Sequence, residues 1–228
     1  MTPEAFNEGL AKFKAESDGR FALRDSDCLP RLADDTASHA DYCPIYLYHT
    51  GWAARVLAES KPKQHTDFGG FLYFISIASA IVPIRFYDIR PVPIPLDGVT
   101  TGSADLTKLP FEDESIESLS CLHVMEHVGL GRYGDVLDVQ GDLKAAAELK
   151  RVVAKGGQLL IVLPIGVEAK IVFNAHRIYT YEQVIKMFSG LRLKEFSLAF
   201  PPDFIRNADP ARSKKAEEVA GCFWFVND

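Results

Sequence analysis

A chain of 228 residues with 47% hydrophobic content suits one α/β domain with a buried core. Twenty-five Lys and Arg against 31 Asp and Glu leave a formal charge of −6, which argues against a phosphate-backbone footprint and so against nucleic acid as a partner. Cys28, Cys43, Cys121 and Cys222 form no CxxC pair, and the acidic N-terminus lacks the basic and apolar regions of a signal peptide, so a reducing, cytoplasmic setting is expected.

In chain order, Phe6, Leu10 and Phe13 fall at helical spacing in residues 5–14, as do Ile45, Tyr48, Trp52, Val56 and Leu57 in residues 41–59. Residues 1–60 thus predict an N-terminal helical cap, polar and irregular over 17–39, on a 61–228 α/β domain. The aromatics Tyr42, Tyr46, Tyr48 and Trp52 read as core packing, the alternative being a lid that stacks on a ligand. From Lys61 strands and helices alternate, the signature of a mostly parallel sheet covered on both faces.

The first strand, 64–68, breaks at Gly69-Gly70 and enters a helix over 71–80 that is apolar nearly all round. Such a helix must be covered twice, by the sheet and by either the N-terminal helices or a second subunit in a homodimer. The uncharged run 68–84 is interrupted by those glycines and by Pro83, so no membrane span is expected. Further strands are predicted at 83–87, 99–104, 116–122, 158–163, 191–200 and 222–226. Helices are predicted at 142–154, stopping at Lys155-Gly156-Gly157, and at 181–188 with Thr180 as N-cap. Residues 203–218 read as loop plus exposed helix.

Three acids end three successive strands: Asp67, Asp88 and Asp105. Ligands of open α/β sheets bind at that edge, so the three carboxylates are expected to line one crevice. Gly69 and Gly70 allow close backbone approach, Asp88 stands at the spacing where an acid meets ribose hydroxyls, and Asp105 can accept from an exocyclic amine. Together these describe an adenosine.

With Asp67-Phe-Gly-Gly70, Asp88, the run Ala104-Asp-Leu-Thr-Lys-Leu-Pro-Phe-Glu-Asp-Glu-Ser-Ile-Glu-Ser-Leu119, Leu122-His-Val-Met-Glu-His-Val128 and Leu149-Lys-Arg-Val-Val-Ala-Lys-Gly-Gly-Gln-Leu-Leu160 in this order, the sequence resembles the class I S-adenosylmethionine-dependent methyltransferase family. More narrowly, His65-Thr-Asp-Phe-Gly69, Phe86-Tyr-Asp-Ile-Arg-Pro91, Glu126-His-Val-Gly-Leu-Gly-Arg-Tyr-Gly-Asp135 and Phe173-Asn-Ala-His-Arg177 resemble an uncharacterised methyltransferase-like subgroup. The resemblance implies a Rossmann-like fold with a seven-stranded, mostly parallel sheet, helices on both faces and one antiparallel strand near an edge. It implies S-adenosylmethionine as cofactor, with Asp67, Gly69 and Gly70 by the methionine part, Asp88 at the ribose, Asp105 and the Leu106 backbone at the adenine, and His123 near the amino group or methyl. Phe71 stands where the family has a second glycine, and a ring there is expected to crowd the methionine end.

His123-Val-Met-Glu-His127 also spells H-x-x-E-H, a zinc-peptidase pattern that requires both histidines on one helix face. Gly129-Leu-Gly131 would break such a helix at once, and the stronger reading makes Glu126 and His127 catalytic residues facing the substrate, one of them as general base. In the long loop that follows, Arg132 and Tyr133 suit an anionic or saccharide-like small molecule, Asp135, Asp138 and Asp142 suit hydroxyls, and His176 and Arg177 can reach the same edge. The expected activity is methyl transfer to a small-molecule or glycan-like acceptor. A cofactor-free scaffold of the same fold and, behind it, a zinc hydrolase using His123 and His127 are the alternatives.

Overall fold

The computed structural model describes residues 2–16, 28, 30 and 42–228, and the expected irregular stretch 17–39 lies almost wholly outside them. The chain divides into two compact units, Met1–Tyr42 and Cys43–Asp228. In the first, helix α1 (Pro3–Glu16) buries none of its residues, and Thr2 Oγ1 accepts from the Ala5 amide at 3.2 Å.

The second unit begins with α2 (Pro44–Ser60) and continues as strand β1 (His65–Phe68), helix α3 (Leu72–Ala78), then β2 (Ile84–Asp88), β3 (Val99–Ser103) and β4 (Ile116–Leu122). Helix α4 (Gly141–Val152), the long β5 (Val153–Ile165), β6 (Lys170–Val172), β7 (His176–Ile178), α5 (Tyr181–Met187), β8 (Arg192–Phe200), β9 (Asp203–Ile205) and β10 (Val219–Val226) complete it. The main sheet runs β3-β2-β1-β4-β5-β10-β8-β9. Strands β1 to β5 are mutually parallel, β10 is antiparallel to both β5 and β8, and the three-residue β9 adds an eighth strand to the seven expected. Strands β6 and β7 form a separate hairpin that sequence periodicity did not indicate.

Alternation along β5 explains the layering. Leu159, Ile161 and Leu163 join the core on the α4–α5 side with Leu149, Val184 and Phe223, whereas Leu160 and Val162 join Trp52, Val56, Leu57, Phe74 and Ile75 on the α2–α3 side. Helix α2, expected as part of the N-terminal helical cap, packs against α3 and the sheet within the second unit. It covers one side of α3, burying Phe74, Ile75 and Ala78, while Leu72, Tyr73 and Ile77 stay exposed.

Two local expectations meet different outcomes. Thr180 caps α5 in a reciprocal box, accepting from the Gln183 amide at 3.2 Å while Gln183 Oε1 accepts from the Thr180 amide at 2.9 Å. Helix α4, by contrast, ends at Val152 rather than 154, and Lys155-Gly156-Gly157 lies inside β5. A side chain at Gly157 would press on the Ile116 and Glu117 carbonyls, so close strand pairing, not a helix end, explains that glycine.

Candidate active site

A cavity of about 420 Å³ opens at the C-terminal ends of β1 to β4, where loops of a parallel sheet gather. Gly69, Asp88, Asp105, Leu106, His123, His127 and Tyr133 line it, with Tyr87 and Arg90. Asp67, Gly70, Glu126, Arg132, His176 and Arg177 do not reach its wall.

Asp67 is fully buried under the glycine turn. Its Oδ1 accepts from the Gly70 amide at 2.8 Å and its Oδ2 from the Ser120 hydroxyl, and burial raises its carboxyl to about 7. Any side chain on Gly70 would collide with this carboxylate. That glycine therefore serves Asp67; both residues shape the turn, and neither lines the cavity at whose edge they were expected. Gly69 does face the cavity, at φ +70°, where a β-carbon would also strike Val124. Phe71 does not line the cavity. Its ring packs 5.2 Å from that of Tyr46 and 5.3 Å from that of Tyr73, outside the cavity wall.

Asp88 and Asp105 are each pinned by their own loop. Asp88 Oδ1 accepts from the Arg90 amide at 2.7 Å, and Asp105 Oδ1 accepts from the amide and hydroxyl of Thr107 at 2.8 and 2.7 Å. Such short-range turns fix the carboxylate before any ligand arrives. The stretch after Asp105 is held in turn from α4: Glu148 accepts from the Leu109 amide, and Arg151 donates to the carbonyls of Leu109 and Phe111 and to Asp113. Two motifs that carried the family resemblance are thus bonded to each other.

His123 ends β4 in a left-handed conformation, φ 57°, and Met125–His127 is a single 3₁₀ turn, not a helix presenting two histidines on one face. Both imidazoles meet the buried Glu126, with His123 Nδ1 at 2.8 Å and His127 Nε2 at 3.7 Å from its Oε1. His127 Nδ1 lies 2.6 Å from the Ala175 carbonyl, which fixes Nδ1 as the protonated nitrogen and leaves the Nε2 lone pair. Burial lowers the pKa of His127, against the upward pull of Glu126 and of that carbonyl. Among the described residues no group of three or more His, Cys, Asp or Glu side chains is placed to hold a metal ion.

The loop 129–141 is closed upon itself. Asp135 accepts from the amides of Gly129, Gly131 and Tyr133, and Asp138 pairs with Lys144 at 2.6 Å, so these two carboxylates organise the loop although both border the cavity. Arg177, expected at the substrate, is buried and donates to the Val128 carbonyl at 2.6 Å and to those of Glu126 and Asp138, beside Asp142 at 3.7 Å. It clamps the loop's backbone. His176 pairs with Glu218 at 3.1 Å. Arg132 donates to the Ala175 carbonyl at 2.9 Å, and its guanidinium and that of Arg90 lie 5.0 and 4.7 Å from the Tyr133 ring centre, a cationic rim around one aromatic wall.

The sheet order and the position of this cavity invite comparison with solved structures. The chain is similar to the cyclase SpnF (12% identity, TM-score 0.55, 77% of this chain and 80% of that one) and to a geranyl diphosphate methyltransferase solved in complex with S-adenosylmethionine (10%, 0.56, 78% and 85%). It is also similar to the YcgJ protein of Bacillus subtilis (14%, 0.52, 80% and 99%). The fold is that of the class I methyltransferases. Residues 111–204 match a family model described as Caenorhabditis protein of unknown function, DUF268. No curated protein matches the sequence. Among the described residues no helix is long and apolar enough to cross a membrane.

On this methyltransferase fold, the residue that sequence reasoning missed is His49 of α2. It is fully buried, its ring lies 5.0 Å from that of His123 and 5.1 Å from that of Tyr46, and burial pushes its pKa well below the ordinary histidine value. The signal was present: His49 shares the buried stripe of Trp52, Ala53, Val56 and Leu57, where no other polar side chain occurs.

Proposed function

We propose that this protein transfers a methyl group from S-adenosylmethionine to a small-molecule or glycan-like acceptor, as the family resemblance implies. The observation that carries the reading is the pairing, in one cavity, of two pre-fixed carboxylates, Asp88 and Asp105, beside the open Gly69 turn. Asp88 would take the ribose hydroxyls, Asp105 with Leu106 the adenine, and Gly69 and His123 the methionine end. The cofactor, when bound, supplies an electrophilic methyl group on a sulfonium. His127, neutral and with Nε2 unprotonated, accepts the proton that the acceptor loses, and Glu126 stabilises the resulting imidazolium. Tyr133 and Arg90 on the cavity wall, with Arg132 beside the Tyr133 ring adding positive charge, would grip an anionic or hydroxylated acceptor. Because methyl transfer depends on in-line approach, positioning by these residues carries as much of the task as proton removal.

The reading is tested by calorimetry with S-adenosylmethionine and S-adenosylhomocysteine. Both are expected to bind, and Asp88→Ala should weaken each by about 10–100-fold, the worth of a charged hydrogen bond or two. Absence of heat at millimolar ligand would instead support the cofactor-free scaffold.

A further inference from the structure

Behind the His123 wall of the cavity lies a cluster whose polar atoms the fold itself leaves unsatisfied. Both ring nitrogens of His49 and Nε2 of His123 are buried without a hydrogen-bond partner. Folded proteins rarely leave such atoms unpaired, and where they do a bound ion or water is the usual reason. The two rings come from different elements, α2 and the end of β4, and meet at 5.0 Å between centroids with planes at 57°. Two imidazoles bound to one ion at ~2.1 Å, with a near-tetrahedral angle between them, have centroids about 5 Å apart.

We propose that His49 and His123 bind a divalent transition-metal ion at the inner wall of the cavity. Glu126 completes the arrangement: its Oε1 accepts from His123 Nδ1 at 2.8 Å, which fixes the tautomer and leaves Nε2 as the ligating lone pair. A carboxylate behind a ligating histidine is the usual second layer of such sites. Imidazole ligands favour zinc, nickel, cobalt or copper over magnesium or calcium. With two protein ligands, the ion completes its coordination shell with water. The site differs from the H-x-x-E-H pattern: it uses His123 but replaces His127 with His49 of α2.

The test is a titration of chelator-stripped, tag-free protein with cobalt chloride, followed by visible absorption and calorimetry. No S-adenosylmethionine is added, so the outcome is independent of the methyl-transfer reading. One equivalent of cobalt is expected to bind. His49→Phe and His123→Ala should each weaken binding at least about tenfold, and Glu126→Gln by about 10–100-fold, while His176→Ala binds as the parent does. Phenylalanine keeps the ring packing against Tyr46 and removes only unpaired nitrogens, so His49→Phe should unfold at or above the parent temperature. Should it fail to fold, His123→Ala on the cavity wall carries the same test. No cobalt bound to the parent, or binding unchanged in a folded His49→Phe or His123→Ala variant, would overturn the site.

Discussion

Asp67 ends a buried chain of hydrogen bonds whose direction can be deduced. Ser120 donates its only hydroxyl proton to Asp67, so its oxygen accepts from His65 Nε2–H; Nδ1 of the neutral ring then accepts from the Ser118 hydroxyl, whose oxygen in turn accepts from Gln158 Nε2. Burial raises Asp67 to about 7 from 3.8 and lowers His65 to about 3 from 6.5. The signs oppose. Asp67 contributes stability that is complete below about 4 and lost as pH rises to about 7; His65 contributes stability that is complete above about 6.5 and lost as pH falls towards 3. Asp67→Asn removes only the first slope, worth about 4 kcal/mol across its window. Relative to the parent, the variant should therefore gain stability steadily as pH rises from 4 to 7, measured as urea midpoints; an unchanged difference across that range would refute the account. Spacing alone revealed an acid at a strand end, but not that its carboxylate turns inward to the Gly70 amide. Asp88 and Asp105, one and two strands further out in the sheet, do line the cavity, and the strand-end rule located them correctly.

At the scale of elements, the loop 129–141 reads in sequence as a polar, glycine-punctuated surface segment. Its closure depends on partners far along the chain, which is why it was not legible: Arg177 on β7 holds the carbonyls of Glu126, Val128 and Asp138, and the hairpin that carries Arg177 has strands of only three residues without clear alternation. Replacing Arg177 by Met removes the donors and leaves Asp142 without its buried cation, a loss of about 3–5 kcal/mol if the whole unit feels it. The signature should be local. Hydrogen exchange across 128–142 is expected to accelerate in Arg177→Met well beyond that of β4 or β5, because those strands keep their own ladders. Equal acceleration in strands and loop would mean that Arg177 supports global folding rather than this loop.

Across the α/β unit, the strands of the sheet were legible because a short apolar run bounded by glycine, proline or polar residues is a local property, whereas their order rested on motif resemblance, since pairing joins residues distant in sequence. Helix α2 shows what neither source supplied. Near one edge of the sheet its Trp52 is buried and donates from Nε1 to Glu195 Oε1 on β8 at 2.9 Å, and its Tyr48 hydroxyl donates to the Pro202 carbonyl; towards the other half its His49 packs on His123 at the end of β4. One helix thus ties the β8–β9 edge to the cavity wall. Glu195 is held ionised, because donors from Arg206, Ser197 and Trp52 outweigh its burial. Trp52→Phe keeps most of the apolar volume but removes one charged hydrogen bond, and is expected to cost about 1.5–3 kcal/mol in urea unfolding. Trp52→Ala adds a cavity and should cost about 3–5 kcal/mol. If α2 is the tie described, the alanine variant should also weaken cobalt binding at His49 and His123 while the phenylalanine variant leaves it nearly intact, because the ring, more than the hydrogen bond, sets the height of the helix above the sheet. Equal loss of binding in both would place the coupling in the Glu195 network instead.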